Sequence, residues 1–295
     1  AVNTRLTELG IQGMTADVLG LAHLATALER NTTLKTLGCG YLSGAVVPLA
    51  PLLSALRVNS SVTDLDVDVD TAALEALFAA LEVNTTLRSV LIWASPPGPV
   101  CGLRLAAAIR SNSTLTSASF RAVAVTAGSA DAVAEAVAVN SSLRSLSINI
   151  ACHEARSSLG AAAMRGAARN TTLTELSVGA VHAFEPAVHT VAALIESNSS
   201  ITVLSLGNGW LAEPALPWLS RAMRCNSTLT KLDMCSSRLG SAEGVNRLAE
   251  AVRVHQRLRS LRFRAEEVPT ADYASLDAAL SESWHLADHW WRRRG

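Results

Sequence analysis

A short segment, clearest as Asn31-Thr32-Thr33-Leu34-Lys35-Thr36-Leu37, returns ten times along the chain. Its first position is held by Asn3, Asn31, Asn59, Asn84, Asn112, Asn140, Asn170, Asn198, Asn226 and, in the tenth copy, His255. Successive anchors lie 28, 28, 25, 28, 28, 30, 28, 28 and 29 residues apart. Steps so nearly equal mark a stacked-repeat architecture, where one small unit recurs and buries its apolar side only against its neighbours.

Each anchor opens an LxxLxL frame. Its fourth slot holds Leu9, Leu37, Leu65, Val90, Ala118, Leu146, Leu176, Leu204, Leu232 and Leu261. Its sixth holds Ile11, Cys39, Val67, Ile92, Phe120, Ile148, Val178, Leu206, Met234 and Phe263. Apolar residues at period two predict a short strand with one buried face. Upstream of the anchors the spacing changes to three and four, as in Leu21, Leu24, Leu28 or Leu74, Leu77, Leu81, which predicts a short amphipathic helix. Pro48, Pro186 and Pro214 fall near the first turns of such helices, where a missing N–H costs little. The composition agrees: 49% of residues are hydrophobic but only 4% aromatic, which suits many thin layers of Ala, Leu and Val. A compact chain of 295 residues would ordinarily divide into two domains, whereas a repeat array grows by addition.

Strand then helix at a period near 28 resembles the leucine-rich repeats of the ribonuclease-inhibitor-like class, over residues 1–268. The resemblance implies an α/β solenoid, a horseshoe with parallel β-strands on its concave face and helices on its convex face. In that family an Asn or Cys after the strand ties adjacent turns together. Here those places hold Met14, Leu42, Asp70, Ser95, Val123, Ala151, Val181, Gly209, Ser237 and Glu266, so looser turns are expected. Residues 269–295 break the pattern and are expected to form a C-terminal helical cap. In it, Ala271 to Leu280 reads as a helix, and Trp284, Trp290 and Trp291 cover the last repeat.

The anchor asparagines are expected to end their helices in the left-handed conformation, with the following Ser and Thr hydroxyls satisfying freed carbonyls. They also create eight N-x-S/T sequons, from Asn31 to Asn226, read here as by-products of that structural role. Asp64-x-Asp66-x-Asp68-x-Asp70 with Glu75 twelfth approximates a calcium loop. However, Val69 stands where such a loop needs glycine, and Leu65 and Val67 are strand slots, so a strand with outward aspartates is expected. Gly38-Cys39-Gly40 with Gly44 misplaces the third glycine of a dinucleotide fingerprint. His285 and His289 have zinc spacing on a helix, with Glu282 and Asp288 nearby, but the sequence places no third ligand. Cys152-His153-Glu154 puts a thiol beside a base in sequence, yet adjacent residues of an extended chain point apart. No catalytic residue, cofactor or metal is therefore expected.

Twenty-five basic and 25 acidic residues cancel, which argues against nucleic acid or an anionic membrane as the main partner. No apolar run reaches the ~18 residues that span a bilayer. Five scattered cysteines and no basic-then-apolar leader lead us to expect an intracellular, cytoplasmic protein. Only Lys35 and Lys231 among the 25 basic residues are lysines, and Arg292-Arg293-Arg294 is too short a run to predict nucleic-acid binding.

The third, fifth and seventh frame positions alternate away from the core, and in the family they line the concave face. Most are Ser, Thr or Gly, with two exceptions. Asp64, Asp66 and Asp68 stand next to Leu91 and Trp93, with Arg121 beyond; an aromatic and an arginine beside an acidic stripe is the composition of an interface hot spot. The tenth copy presents Arg262 and Arg264. The expected function is a non-enzymatic module that scaffolds, inhibits or recognises another protein through this face or its edges. Two alternatives follow the resemblance: a GTPase-activating protein of the Ran-activator type, or the recognition region of a bacterial effector or ubiquitin ligase. The first family usually carries an acidic tail, where this chain has three arginines.

Overall fold

In the computed structural model the described residues are 3–12, 18–40, 49–100, 102–149, 158–179, 185–207, 216–238, 242–264, 278 and 288–292. They alternate strand and helix at the repeat period. The chain divides into two compact units, Ala1–Ala162 and Ala163–Gly295, with the division inside one helix, α6 (Ser158–Arg169).

In the first unit β1 (Glu8–Gln12), β2 (Thr36–Gly40), β3 (Asp64–Val69), β4 (Ser89–Val100), β5 (Ser117–Val125) and β6 (Ser145–Asn149) alternate with five helices. These are α1 (Val18–Arg30), α2 (Ala50–Ala55), α3 (Thr71–Leu81), α4 (Gly102–Ser111) and α5 (Ala127–Val139). The strands pair in chain order and in parallel. Parallel neighbours need a crossover connection, and each helix supplies one. In the second unit β7 (Glu175–Gly179), α7 (Glu185–Ser197), β8 (Val203–Gly207), α8 (Leu216–Cys225), β9 (Lys231–Arg238), α9 (Ala242–Val254) and β10 (Ser260–Arg264) follow the same rule. Each unit is a strand–helix solenoid of the leucine-rich-repeat kind, as the sequence predicts.

The register shows why the frame works. Leu9, Leu37, Leu65, Val90, Ala118 and Leu146 are successive partners across the first unit, as are Ile11, Cys39, Val67, Ile92, Phe120 and Ile148. Each slot stacks on its own copy in the next turn, so one apolar row becomes a continuous core. Leu74, Leu77 and Leu81 of α3 close over it and are buried. Pro186 is the second residue of α7, as expected, while Pro48 and Pro214 lie outside the described residues.

Two expectations are overturned at the anchors. Among the described residues Ala122 is the one non-glycine with a positive φ, and Asn140 is extended at φ −66 and ψ 129, so the anchor does not end its helix in the left-handed region. Nor are the turns left without a side-chain ladder. Asn112 Oδ1 accepts from the backbone N–H groups of Thr114 and Leu115 at 3.0 and 2.7 Å. Its Nδ2 donates to the carbonyls of Leu81 and Asn84, one turn upstream, at 2.7 and 3.1 Å. Asn59, Asn84, Asn140, Asn198 and Asn226 repeat both halves of this arrangement. The amide ladder missing after the strands has moved in front of them. A buried amide that meets both donors and both acceptors avoids the desolvation cost of an unmade bond. At the tenth anchor His255 keeps the accepting half, with Nδ1 3.1 Å from the N–H of Leu258.

The ladder also bears on the sequons. Seven of the eight asparagines are 2 to 9% exposed. Glycosylation would consume the nitrogen that Asn59, Asn112 and their equivalents use to hold the preceding turn.

Beyond β10 the described residues include β11 (Asp288–Arg292), which adds to β10 in parallel. A strand was not expected at Trp290 and Trp291. Of the helix expected over Ala271 to Leu280, Ala278 alone is described, and it is helical. Among the described residues no helix is long and apolar enough to cross a membrane.

A candidate interaction face on the first unit

Because the core takes every second residue of a strand, the alternate residues of β1 to β6 stand on the opposite, outward side of the sheet. The register orders them into rows. One row runs Gly10, Gly38, Asp66, Leu91, Ser119, Ser147. The next runs Asp68, Trp93, Arg121, Asn149. Asp64 lies in a third row, beside Thr36 and Ser89. The fold therefore brings Asp64, Asp66, Asp68, Leu91, Trp93 and Arg121 onto three adjacent strands.

Trp93 is 41% exposed, a large apolar area for an outward strand position. The Arg121 guanidinium lies over its ring at 4.5 Å from the centroid. Such a contact holds both side chains in place, with Arg121 itself half-buried. Arg121 Nε is enclosed without a hydrogen-bond partner, as is Asp68 Oδ1. Burial, and then the neighbouring Asp66 charge, raise the Asp68 carboxyl above its ordinary value. Thr63 Oγ1 lies 2.7 Å from Asp64 Oδ2, so Asp64 is served from within the chain.

Backbone strain sits beside the same group. Ala122, next to Arg121, has φ 57 in the middle of β5, and there the register of β4 against β5 shifts between Trp93 and Gly98. A left-handed alanine costs about 1–2 kcal/mol and persists only where its surroundings fix it. Here it lets β5 follow the irregular end of β4 while Arg121 stays in line with Trp93.

Sequence reasoning missed the floor of this face. A Cβ at Gly10 would meet nothing within 4 Å, and at Gly38 only backbone at 3.8 Å or more. The row that continues from Asp66 is thus free of side chains on β1 and β2, with Glu8 and Thr36 in the row beside it. The glycines were legible, but their alignment with Asp66 depends on the register.

The other motifs resolve differently. Asp64 to Val69 is a strand with alternating burial, Asp70 caps α3 by accepting from the Ala73 N–H at 2.7 Å, and Glu75 is exposed on that helix. These oxygens do not converge as a calcium loop requires. Cys39 is buried in its core slot, and burial together with Asp66 pushes its thiol up to about 12, far from a reactive thiolate. His289 lies in β11, so the helical geometry assumed for the zinc pair does not hold there, and His285 lies outside the described residues. Cys152, His153 and Glu154 also lie outside them.

On the second unit, Arg262 of β10 has Nη1 3.8 Å from Asp233 Oδ2 on β9. Arg264 stands in register between Arg238 of β9 and Arg292 of β11. On the helices, the rings of His189 in α7 and Trp218 in α8 meet edge to face at 4.7 Å, an aromatic pair the sequence did not flag.

No known family profile matches the chain, and no curated protein matches it in sequence. Among solved structures it is similar to the tropomodulin C-terminal domain of Caenorhabditis elegans. That likeness has 15% identity and a TM-score of 0.34, covering 56% of this chain and 86% of the other.

Proposed function

We propose that this chain is a non-enzymatic, cytoplasmic recognition module that holds another protein against the outward sheet face of its first unit. Asp64, Asp66, Asp68, Leu91, Trp93 and Arg121 form the contact, with Arg262 and Arg264 as a separate basic contact on the second unit. The assignment to the ribonuclease-inhibitor-like class of repeats is part of this reading and is supported by the 28-residue strand–helix step.

The observation that carries the reading is the stack of Arg121 on a half-exposed Trp93 beside the half-buried carboxylates of Asp66 and Asp68, for which no ion pair forms among the described residues. An exposed tryptophan, an arginine held in place and a charge without its complement gain little from folding. All three gain from a partner that covers them.

Affinity capture from the native cell, followed by mass spectrometry, tests the proposal. The Asp66→Arg, Trp93→Ala double variant is the control. A protein recovered by the wild type and lost from the variant supports it; the same proteins recovered by both contradict it. A stimulated GTP-hydrolysis assay on a captured GTPase would separate this reading from an activating one.

A further inference from the structure

The acidic side of the proposed face lacks its counter-charge. Asp66 and Asp68 are half-buried on one strand, and among the described residues neither forms an ion pair. The basic residue in their neighbourhood, Arg121, is taken up by the Trp93 ring. Asp68 Oδ1 is enclosed and receives no donor. Two like charges on successive outward positions, about 7 Å apart along the strand, repel each other unless a cation intervenes.

The surroundings limit which cation fits. A divalent ion needs six or more oxygens converging on one point. Two carboxylates on a straight strand do not converge, and among the described residues no group of three His, Cys, Asp or Glu could hold a metal. A long basic side chain meets the geometry better. It can cross β4 over Leu91 and Trp93 and reach Asp66 and Asp68 on β3 from that side, while the glycine row of β2 and β1 beyond Asp66, open at Gly10, leaves room for the rest of the partner segment. Its methylene stem then has Leu91 and Trp93 to cover, while only its head needs the charges.

We propose that the partner presents a lysine or arginine side chain that inserts its cation between Asp66 and Asp68, with its stem against Leu91 and Trp93. This deepens the reading above and rests on it. The partner segment is therefore basic at its anchor point, and Arg121 bounds the site so that a second cation is repelled on that side.

A phage-displayed library of random dodecapeptides, panned on the intact wild-type chain, tests this directly. Clones are first sorted by whether they bind at least tenfold more weakly to Trp93→Ala. Among the Trp93-dependent clones an aligned Lys or Arg is expected. Replacing that residue by alanine in the synthetic peptide, or using Asp66→Asn, Asp68→Asn protein, should each lower affinity tenfold or more. The loss should shrink as salt is raised from 50 mM to about 0.5 M. Trp93-dependent clones with no basic position, or unaffected by the double asparagine variant, would overturn the cationic anchor and leave the face intact. If no clone depends on Trp93, the face and the anchor both fall. Calcium chloride raising the melting temperature of the wild type but not of the asparagine variant would assign the pair to a metal and also overturn the proposal. Circular dichroism melts of each variant check that they fold.

Discussion

Ala122 and Asp68 are two residues whose local chemistry disagrees with their position, and both lie at the candidate face. An alanine in the left-handed region pays steric strain that glycine avoids. Ala122→Gly is therefore expected to raise the melting temperature slightly, by about 0.5–1 kcal/mol of stability, whereas the same change elsewhere in a strand costs a similar amount. Differential scanning calorimetry of this variant beside Ala94→Gly reads the difference in sign. Asp68 makes a pH prediction. Its folded-state carboxyl titrates above its ordinary value, so the folded chain holds that proton more tightly than the unfolded chain does. Its contribution to stability is thus present below the ordinary aspartate range and is lost as pH rises through the raised value. Asp68→Asn should flatten that decline and melt higher than the wild type at pH 7. A melting temperature equal to or below that of the wild type at pH 7 would contradict the unpaired state of this carboxylate.

At the scale of the strand–helix unit, the amide ladder does the work that the sequence seemed to lack. Asn112→Ala removes two donations to the preceding turn and two acceptances from its own, all among buried groups. A loss of about 2–4 kcal/mol is expected, with Asn112→Asp at least as damaging because a carboxylate faces the carbonyls of Leu81 and Asn84. Urea titration measures it, and a loss below about 1 kcal/mol would mean that the ladder is ornamental. Much of this unit was legible beforehand. The slots at Leu37, Leu65, Val67 and Ile92 follow from period two, and the helical stripe of Leu74, Leu77 and Leu81 from spacing three and four. The ladder was not. An asparagine at a helix end followed by Ser or Thr fits a local cap as well as a tie to the next turn, and only coordinates separate the two. The strand at Trp290 was hidden for a related reason: its frame has lost the leucines that announce the other copies, and its pairing with Arg262 is a tertiary fact.

For the molecule as a whole, ten thin layers explain a chain that is half hydrophobic yet poor in aromatics. The rare aromatics become informative, because a tryptophan such as Trp93 is not needed by the core. The neutral total charge conceals local excess: three aspartates on β3 in one unit, and Arg238, Arg264 and Arg292 in register in the other. The candidate face was legible in composition, since Asp66, Trp93 and Arg121 stand out of a Ser- and Gly-rich surface. Its geometry was not, because neither the stacking of Arg121 on Trp93 nor the glycine floor beside Asp66 exists without the register.

If the outward face of the first unit binds a partner, removing its tryptophan must cost affinity and not stability. Calorimetric titration of the captured partner into wild-type and Trp93→Ala protein, with the melting temperature of each recorded, separates the two quantities. An affinity at least tenfold lower for Trp93→Ala, about 1.4 kcal/mol, is expected with an unchanged melting temperature. Equal affinities for the two proteins would contradict it.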